Sequence, residues 1–285
     1  MQRIGWLLFA LAVAGATRLD GQQVRVRSEL VATSGYLWRG IMRNRYPVAQ
    51  PFIGVDLTGR RFELGVSGWA SAIVHAGRCG PPSCPATAGF HFADVNWSML
   101  ARHLRGNTQF ALGLNGYHFP YAPFTGRGGS ATTWELVGSV YAVPDRHIQL
   151  ALTGFLDVDD VDGFYLEATG TMPIVLKKSR TPQVFVTGTG GWNQGQNIDR
   201  GRNRGYFERE GFTHVSVEVS WMVLHPERNR GKRTLQLFVR LQGNLDPATK
   251  ERSWPLGSAR SEQQFVFGFA LHPLLAHPPK RAPDM

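Results

Sequence analysis

The sequence predicts an all-β fold: an antiparallel transmembrane β-barrel of about twelve strands, with short periplasmic turns and longer extracellular loops. Three observations lead there. Apolar and polar residues alternate with period two in one segment after another, the signature of strands with two unlike faces. One face is nearly free of charge, while the other carries Glu63, Asp94, Glu135, Glu167, Glu218 and Arg240. Burying those charges in a dry core would be very costly, whereas a wet lumen solvates them. Finally, brief and long connections alternate along the chain, as they do at the two ends of a membrane barrel. A soluble sandwich or lipocalin-like barrel also alternates, but it points its larger apolar set inward and exposes its charge.

Residues 1–16 read as a signal peptide, with Arg3 as a short basic region, an apolar core over 4–13 and the small residues Ala14, Gly15 and Ala16 at the cleavage site. That core is too short for a membrane-spanning helix of about 20 residues. No cysteine follows it, so a lipoprotein anchor is not indicated. The remaining length fits one large all-β domain, assigned to 17–272, followed by a tail over 273–285 whose prolines prevent it from extending a central strand. With 11% aromatics and a mean hydropathy of only −0.20, the chain has the rings of a membrane protein without the hydropathy of membrane helices.

The expected strands begin near Val24, Val48, Phe62, Phe90, Thr108, Thr132, His147, Gly163, Pro182, Phe212, Thr234 and Gln264. Their parity is legible. Phe110, Leu112 and Leu114 oppose Gln109, Ala111, Gly113 and Asn115, and Thr213, Val215, Val217, Val219 and Trp221 oppose His214, Ser216, Glu218 and Ser220. Leu235, Leu237, Val239 and Leu241 oppose Gln236, Phe238, Arg240 and Gln242. Brief connections fall at 58–61, 104–107 and 143–146, and longer ones at 74–89, 120–130, 193–210 and 245–263.

The end of the first expected strand, Tyr36-Leu37-Trp38-Arg39-Gly40-Ile41, alternates two aromatics with an arginine. Period two places Tyr36 and Trp38, with Trp221 elsewhere, in a lipid-facing aromatic girdle and Arg39 toward the lumen, before Gly40 lets the chain leave the strand. This stretch resembles the Ser-Asp-Tyr-x-Phe-Arg-Gly-Ile signature of the TorF family of outer-membrane porins. Pro47-Val48-Ala49-Gln50, Gly54-Val55-Asp56-Leu57, and Gly65, Trp69 and Ser71 resemble the family's next strands in order and spacing. The chain departs from the family at Gly35, which stands in place of Asp, at Trp38 in place of Phe, and in the basic residues Arg43 and Arg45. Any role that the family gives to that Asp does not carry over. What the resemblance implies is a bacterial outer-membrane porin reached by export.

Cys79 and Cys84 are expected to form a disulfide, since an exported chain meets oxidants. A metal site with His75 and His91 is disfavoured by irregular spacing, and no metal or cofactor is expected. The net charge of +10 lies in short clusters at Arg60-Arg61, 177–180 and 228–233 rather than on a continuous helical stripe, which argues against nucleic acid and for solvated turns or lipid phosphates. The expected partners are the outer membrane, lipopolysaccharide and small solutes.

Enzyme signatures are mostly absent. His214-Val215-Ser216 is the tempting pair for an outer-membrane lipid hydrolase, but both residues share the lumenal parity with Glu218, and the phospholipase pattern His-x-Ser-Asn-Gly fails at Val217. The acidic group Asp157, Asp159, Asp160 and Asp162 fails the calcium-loop pattern at Val161 and reads as a solvated loop. The expectation is a non-enzymatic channel for passive diffusion of small polar solutes, the alternatives being a barrel that serves as scaffold or receptor and, behind it, the lipid hydrolase. Arg39, Asp56, Glu63, Asp94, Glu135, Glu167, Glu218 and Arg240 are its expected lumen-lining residues. Along the lumenal parity, seven acids (Glu29, Asp56, Glu63, Asp94, Glu135, Glu167 and Glu218) face four bases (Arg25, Arg27, Arg102 and Arg240), which predicts a weak cation preference with Glu167 as the least compensated charge.

Overall fold

A computed structural model describes residues 23–44, 46–75, 89–119, 131–145, 147–159, 161–175, 183–197, 205–224, 233–246 and 263–273. The expected signal peptide, the Cys79–Cys84 disulfide and the tail beyond Pro273 lie outside the described residues.

The elements in order are β1 (Gln23–Thr33), β2 (Tyr36–Trp38), β3 (Ile41–Asn44), β4 (Val48–Thr58), β5 (Phe62–His75), β6 (Gly89–Arg105), β7 (Thr108–Phe119), β8 (Ala131–Asp145), β9 (Ile148–Asp157), β10 (Gly163–Ile174), β11 (Val184–Gln194), β12 (Gly211–Leu224), β13 (Arg233–Asn244) and β14 (Gln263–Pro273). Twelve of them, β1 and β4 through β14, form one closed antiparallel barrel in sequence order, and β2 pairs with β3 in a separate two-stranded sheet. Closure leaves no open edge along most of the wall, so backbone groups are paired within a medium that cannot hydrogen-bond them. The narrowest pairing is the closing seam, where β1 meets β14 from Leu30 opposite Leu271 to Thr33 opposite Gly268.

Side chains alternate across the wall as period two demands. The outward set is apolar and exposed, including Val24, Ile53, Leu112, Leu152, Val217, Trp221, Val239 and Phe265. Leu112 keeps 68% of its surface accessible and Trp221 54%, values that a soluble fold would not tolerate over a whole surface but a lipid-embedded one requires. The inward set carries the buried polar and charged side chains, among them Asp56, Asp94, Glu135 and Gln242. Parity holds along β12 from His214 to Trp221 and breaks at its two ends. Thr213, expected outward, is fully buried, because the pairing of β11 with β12 shifts register between Gly191 and Trp192 and turns its side chain inward.

The ends differ as expected. The connections 59–61, 106–107 and 146–147 at one end are tight, with Gly106 at φ +60 in the β6–β7 turn, although 175–183 and 225–232 at the same end are longer. The other end carries 34–47, 76–88, 120–130, 158–162, 195–210 and 245–262.

Candidate functional site

The first of those long connections corrects the sequence expectation. β1 stops at Thr33, where the Ser34 amide donates to the Phe267 carbonyl at 2.9 Å and the Thr33 hydroxyl donates to the Gly35 carbonyl at 2.6 Å. Tyr36 and Trp38 therefore do not continue β1 in a lipid-facing girdle. They are 3% and 8% exposed, and they lie inside the barrel on the β2–β3 hairpin. Only an interior position accounts for the hairpin's neighbours. Tyr36 meets Trp69 of β5, Trp38 meets Tyr117 and Phe119 of β7, Arg39 reaches Glu135 of β8, and the Gly40 carbonyl accepts from Gln242 of β13 at 2.7 Å. A segment outside the wall cannot touch strands on opposite sides of it.

The turn of the hairpin is Arg39-Gly40, both with positive φ, at +50 and +82. Two such residues match the twist of a two-residue hairpin, and glycine is at home there while arginine is not. Gly40 has a second constraint, since a Cβ placed on it would lie 2.6 Å from Nδ1 of His214. The turn is thus pressed against β12. His214 is buried there, and its Nδ1 pairs with the Thr213 hydroxyl at 3.1 Å.

Arg39 is the centre of the arrangement. Its two terminal nitrogens donate to the two carboxylate oxygens of Glu135 at 2.6 and 2.5 Å, with 5% and 1% of the respective side chains exposed. Around the guanidinium stand Phe155 at 4.4 Å, Trp38 at 4.5 Å, Tyr165 at 4.9 Å and Tyr117 at 5.9 Å, measured to the ring centroids. A forked, charge-assisted pair inside a box of π faces combines bidentate hydrogen bonding with cation–π attraction.

A second inward segment completes the closure. Ahead of β12, Tyr206 and Phe207 are buried, Phe207 stacking on Tyr165 at 5.8 Å and Tyr206 meeting Trp38 edge-on at 4.9 Å. Asn193 and Asp246 hold it in place. The Asn193 amide donates to the Asn197 side-chain oxygen and the Arg209 carbonyl, and the Asp246 carboxylate accepts from the amides of Glu208 and Arg209 at 3.1 Å each. Tyr36, Trp38, Ile41, Val48, Tyr165, Tyr206 and Phe207 form a hydrophobic cluster within the half of the lumen nearest the long loops.

The other half has a different chemistry. On one wall Asp56 accepts from Arg27 at 2.8 Å and from Arg102 at 3.2 Å, and Arg102 also pairs with Glu63. Beyond β14, Arg240 donates to Glu218 at 2.7 and 3.0 Å across directly opposed positions of β12 and β13. The inward face also carries hydroxyl pairs, Thr171 with Thr187 at 3.0 Å on β10 and β11 and Ser67 with Ser98 at 2.9 Å on β5 and β6. Arg240 keeps 39% of its side chain accessible from within. Glu167, on the inward face of β10 one step below Tyr165, lies within electrostatic reach of both Arg39 and Arg240. Asp94 is buried near the hairpin level, where one of its oxygens accepts from Asn96 at 3.2 Å.

Of the acidic group expected to be a solvated loop, Asp157 is instead buried. One oxygen of Asp157 accepts from the Thr133 hydroxyl at 2.7 Å and the other from the amides of Asp159 and Val161 at 3.0 and 3.2 Å, which closes the β9–β10 turn. Sequence reasoning missed Tyr117, Phe155, Tyr165, Tyr206 and Phe207. The first three carried a signal, since they are large rings on the otherwise polar parity near the long-loop ends of their strands.

The closed wall and apolar outer surface define a transmembrane β-barrel. No family model matches the chain, and no curated protein matches it. Among solved structures it is similar to a KdgM porin, with 7% identity and a TM-score of 0.44 over 88% of this chain and 98% of that one. It is also similar to an outer membrane channel from Pseudomonas putida F1, at 11% identity and 0.44 over 87% and 94%, and to a Pseudomonas aeruginosa FadL homologue, at 7% and 0.40 over 92% of each. These likenesses are too distant to bear on solute or mechanism.

Proposed function

We propose that this barrel is a bacterial outer-membrane channel for small polar solutes whose passage is shut at the long-loop end by the β2–β3 hairpin. The observation that carries the reading is the division of the lumen. A barrel serving only as a scaffold has no need of a charged, accessible inner half, whereas a channel needs one. The TorF resemblance, carried by Tyr36 to Ile41, points the same way, and the residues that carry it are those of the hairpin. The inward plug also favours a second reading, a closed barrel acting as scaffold or receptor for an envelope partner. Planar-bilayer recordings separate the two. A channel gives discrete currents that increase when the hairpin is released, and a scaffold passes no current in either state.

The selectivity of such a channel follows the charges along its path. Arg39 joins Arg25, Arg27, Arg102 and Arg240 on the inward side, so the acids Glu29, Asp56, Glu63, Asp94, Glu135, Glu167 and Glu218 exceed the bases by two rather than three. The preference for cations is accordingly weak. Asp56, Glu63, Glu135 and Glu218 are each committed to a guanidinium and Asp94 is buried, so of the acids on the path Glu167, between the hairpin and Arg240, is assigned the largest share. Reversal potentials under a potassium chloride gradient should show cation preference in the wild type and a loss of it in Glu167→Gln. Anion preference, or no change in the variant, would refute the assignment.

The topology has its own test. An epitope inserted within 76–88 is expected to be labelled on intact cells and one after residue 273 only after the outer membrane is opened. Surface labelling of the latter would invert the arrangement.

A further inference from the structure

The residues that hold Arg39 come from two sources that are covalently remote. Tyr117, Glu135, Phe155 and Tyr165 stand on the four consecutive wall strands β7, β8, β9 and β10, while the guanidinium and Trp38 arrive on a hairpin that is not part of the barrel. The wall residues are ordered by contacts of their own. Tyr117 stacks on Phe119 at 6.3 Å, Phe155 meets Tyr165 at 6.0 Å, and Tyr165 stacks on Phe207. A carboxylate offering both oxygens edge-on, walled by rings, matches a planar guanidinium in shape and charge and fits a compact ammonium less well.

We infer that Glu135, Tyr117, Phe155 and Tyr165 form a recognition site for a small organic cation bearing a guanidinium group, occupied in the closed barrel by the protein's own Arg39. Anchoring alone does not call for this chemistry. A buried ion pair stabilises no better than apolar side chains of similar volume, and the hairpin already packs Tyr36, Trp38 and Ile41 into the cluster. The arginine also occupies a left-handed backbone position that favours glycine. What a charge pair adds over apolar packing is competition: a soluble guanidinium can take the place of Arg39, and the turn then loses its charge-assisted hold while the Gly40 bond to Gln242 remains. The link to opening rests on the channel reading above, but binding itself does not.

The test uses the full chain in detergent micelles, with ethylguanidinium as the probe and ethylurea, its neutral counterpart, and potassium chloride as controls. Arg39→Ala should unfold at a lower temperature than the wild type. Millimolar ethylguanidinium should restore part of that loss saturably, the controls should not, and adding Glu135→Gln should abolish the rescue. In the wild type, which does not depend on the variant folding, ethylguanidinium should speed amide hydrogen exchange across 36–42. No rescue, rescue matched by either control, or unchanged exchange in the wild type at saturating probe would overturn the site. Binding without any bilayer current would keep the site and refute the channel, and current without binding would do the reverse.

Discussion

Replacing Arg39 by alanine is expected to cost about 3 to 5 kcal/mol of folding stability and to convert a closed barrel into a conducting one. The magnitude follows from what remains behind. Glu135, 1% exposed, loses both donors of its fork and is left as a buried charge among Tyr117, Phe155 and Tyr165. The cation–π contacts are lost with it. Alanine recovers nothing from the backbone, because φ at position 39 stays at +50, whereas Arg39→Gly relieves that part and should be less destabilised by about 1 kcal/mol. Replacing both partners with apolar residues, Arg39→Met with Glu135→Leu, removes the stranded charge and should recover most of the stability with the hairpin still seated. Denaturant unfolding in lipid vesicles measures the first effect and bilayer conductance the second. A loss below about 1 kcal/mol for Arg39→Ala would place the hold on the hairpin in its rings rather than in its ion pair.

The wall of the barrel was legible because it obeys a single rule. Lipid on one side and water on the other impose period two on every crossing, and the expected strand starts near Val24, Val48, Phe62, Thr108, Gly163 and Thr234 fall within a residue of those observed. The pairing of Glu218 with Arg240 could be foreseen from the same rule, since a hairpin's turn sets which residues face each other. The plug obeys the rule too, and that is why it was misread. Tyr36, Leu37 and Trp38 alternate as a membrane strand would, yet here the alternation separates faces within the lumen. What could have told them apart is tertiary: an arginine at a turn matters only once Glu135, nearly a hundred residues on, is known to lie opposite it. Tyr206 and Phe207 were hidden for the opposite reason. They sit in an irregular connection where periodicity carries no information, and their position depends on Asn193 at the end of β11 and on Asp246 beyond the end of β13.

Arginine on the outer face should impair assembly far more than arginine in the inner half of the lumen. Leu112 lies in the middle of β7, opposite Ala101 and Gly138, and Val217 in the middle of β12, opposite Gly188 and Leu241, so a charge at either meets hydrocarbon with no polar neighbour across the strand. The expected cost is about 2 to 4 kcal/mol for each at mid-membrane depth. Gln109 and Thr187 face inward instead, and an arginine at 187 would stand opposite Glu218. Ser216 would serve poorly as an inward control despite its parity. It is 8% exposed and sits opposite the buried Gln242 that holds the hairpin turn, so a long side chain there would be overpacked rather than solvated. Folding yield into vesicles, read from the altered mobility of folded barrels in unheated gels, should fall for Leu112→Arg and Val217→Arg and stay near wild type for Gln109→Arg and Thr187→Arg. Equal loss in the two sets would mean that the inner half is as dry as the outer surface, and a channel through it would then be excluded.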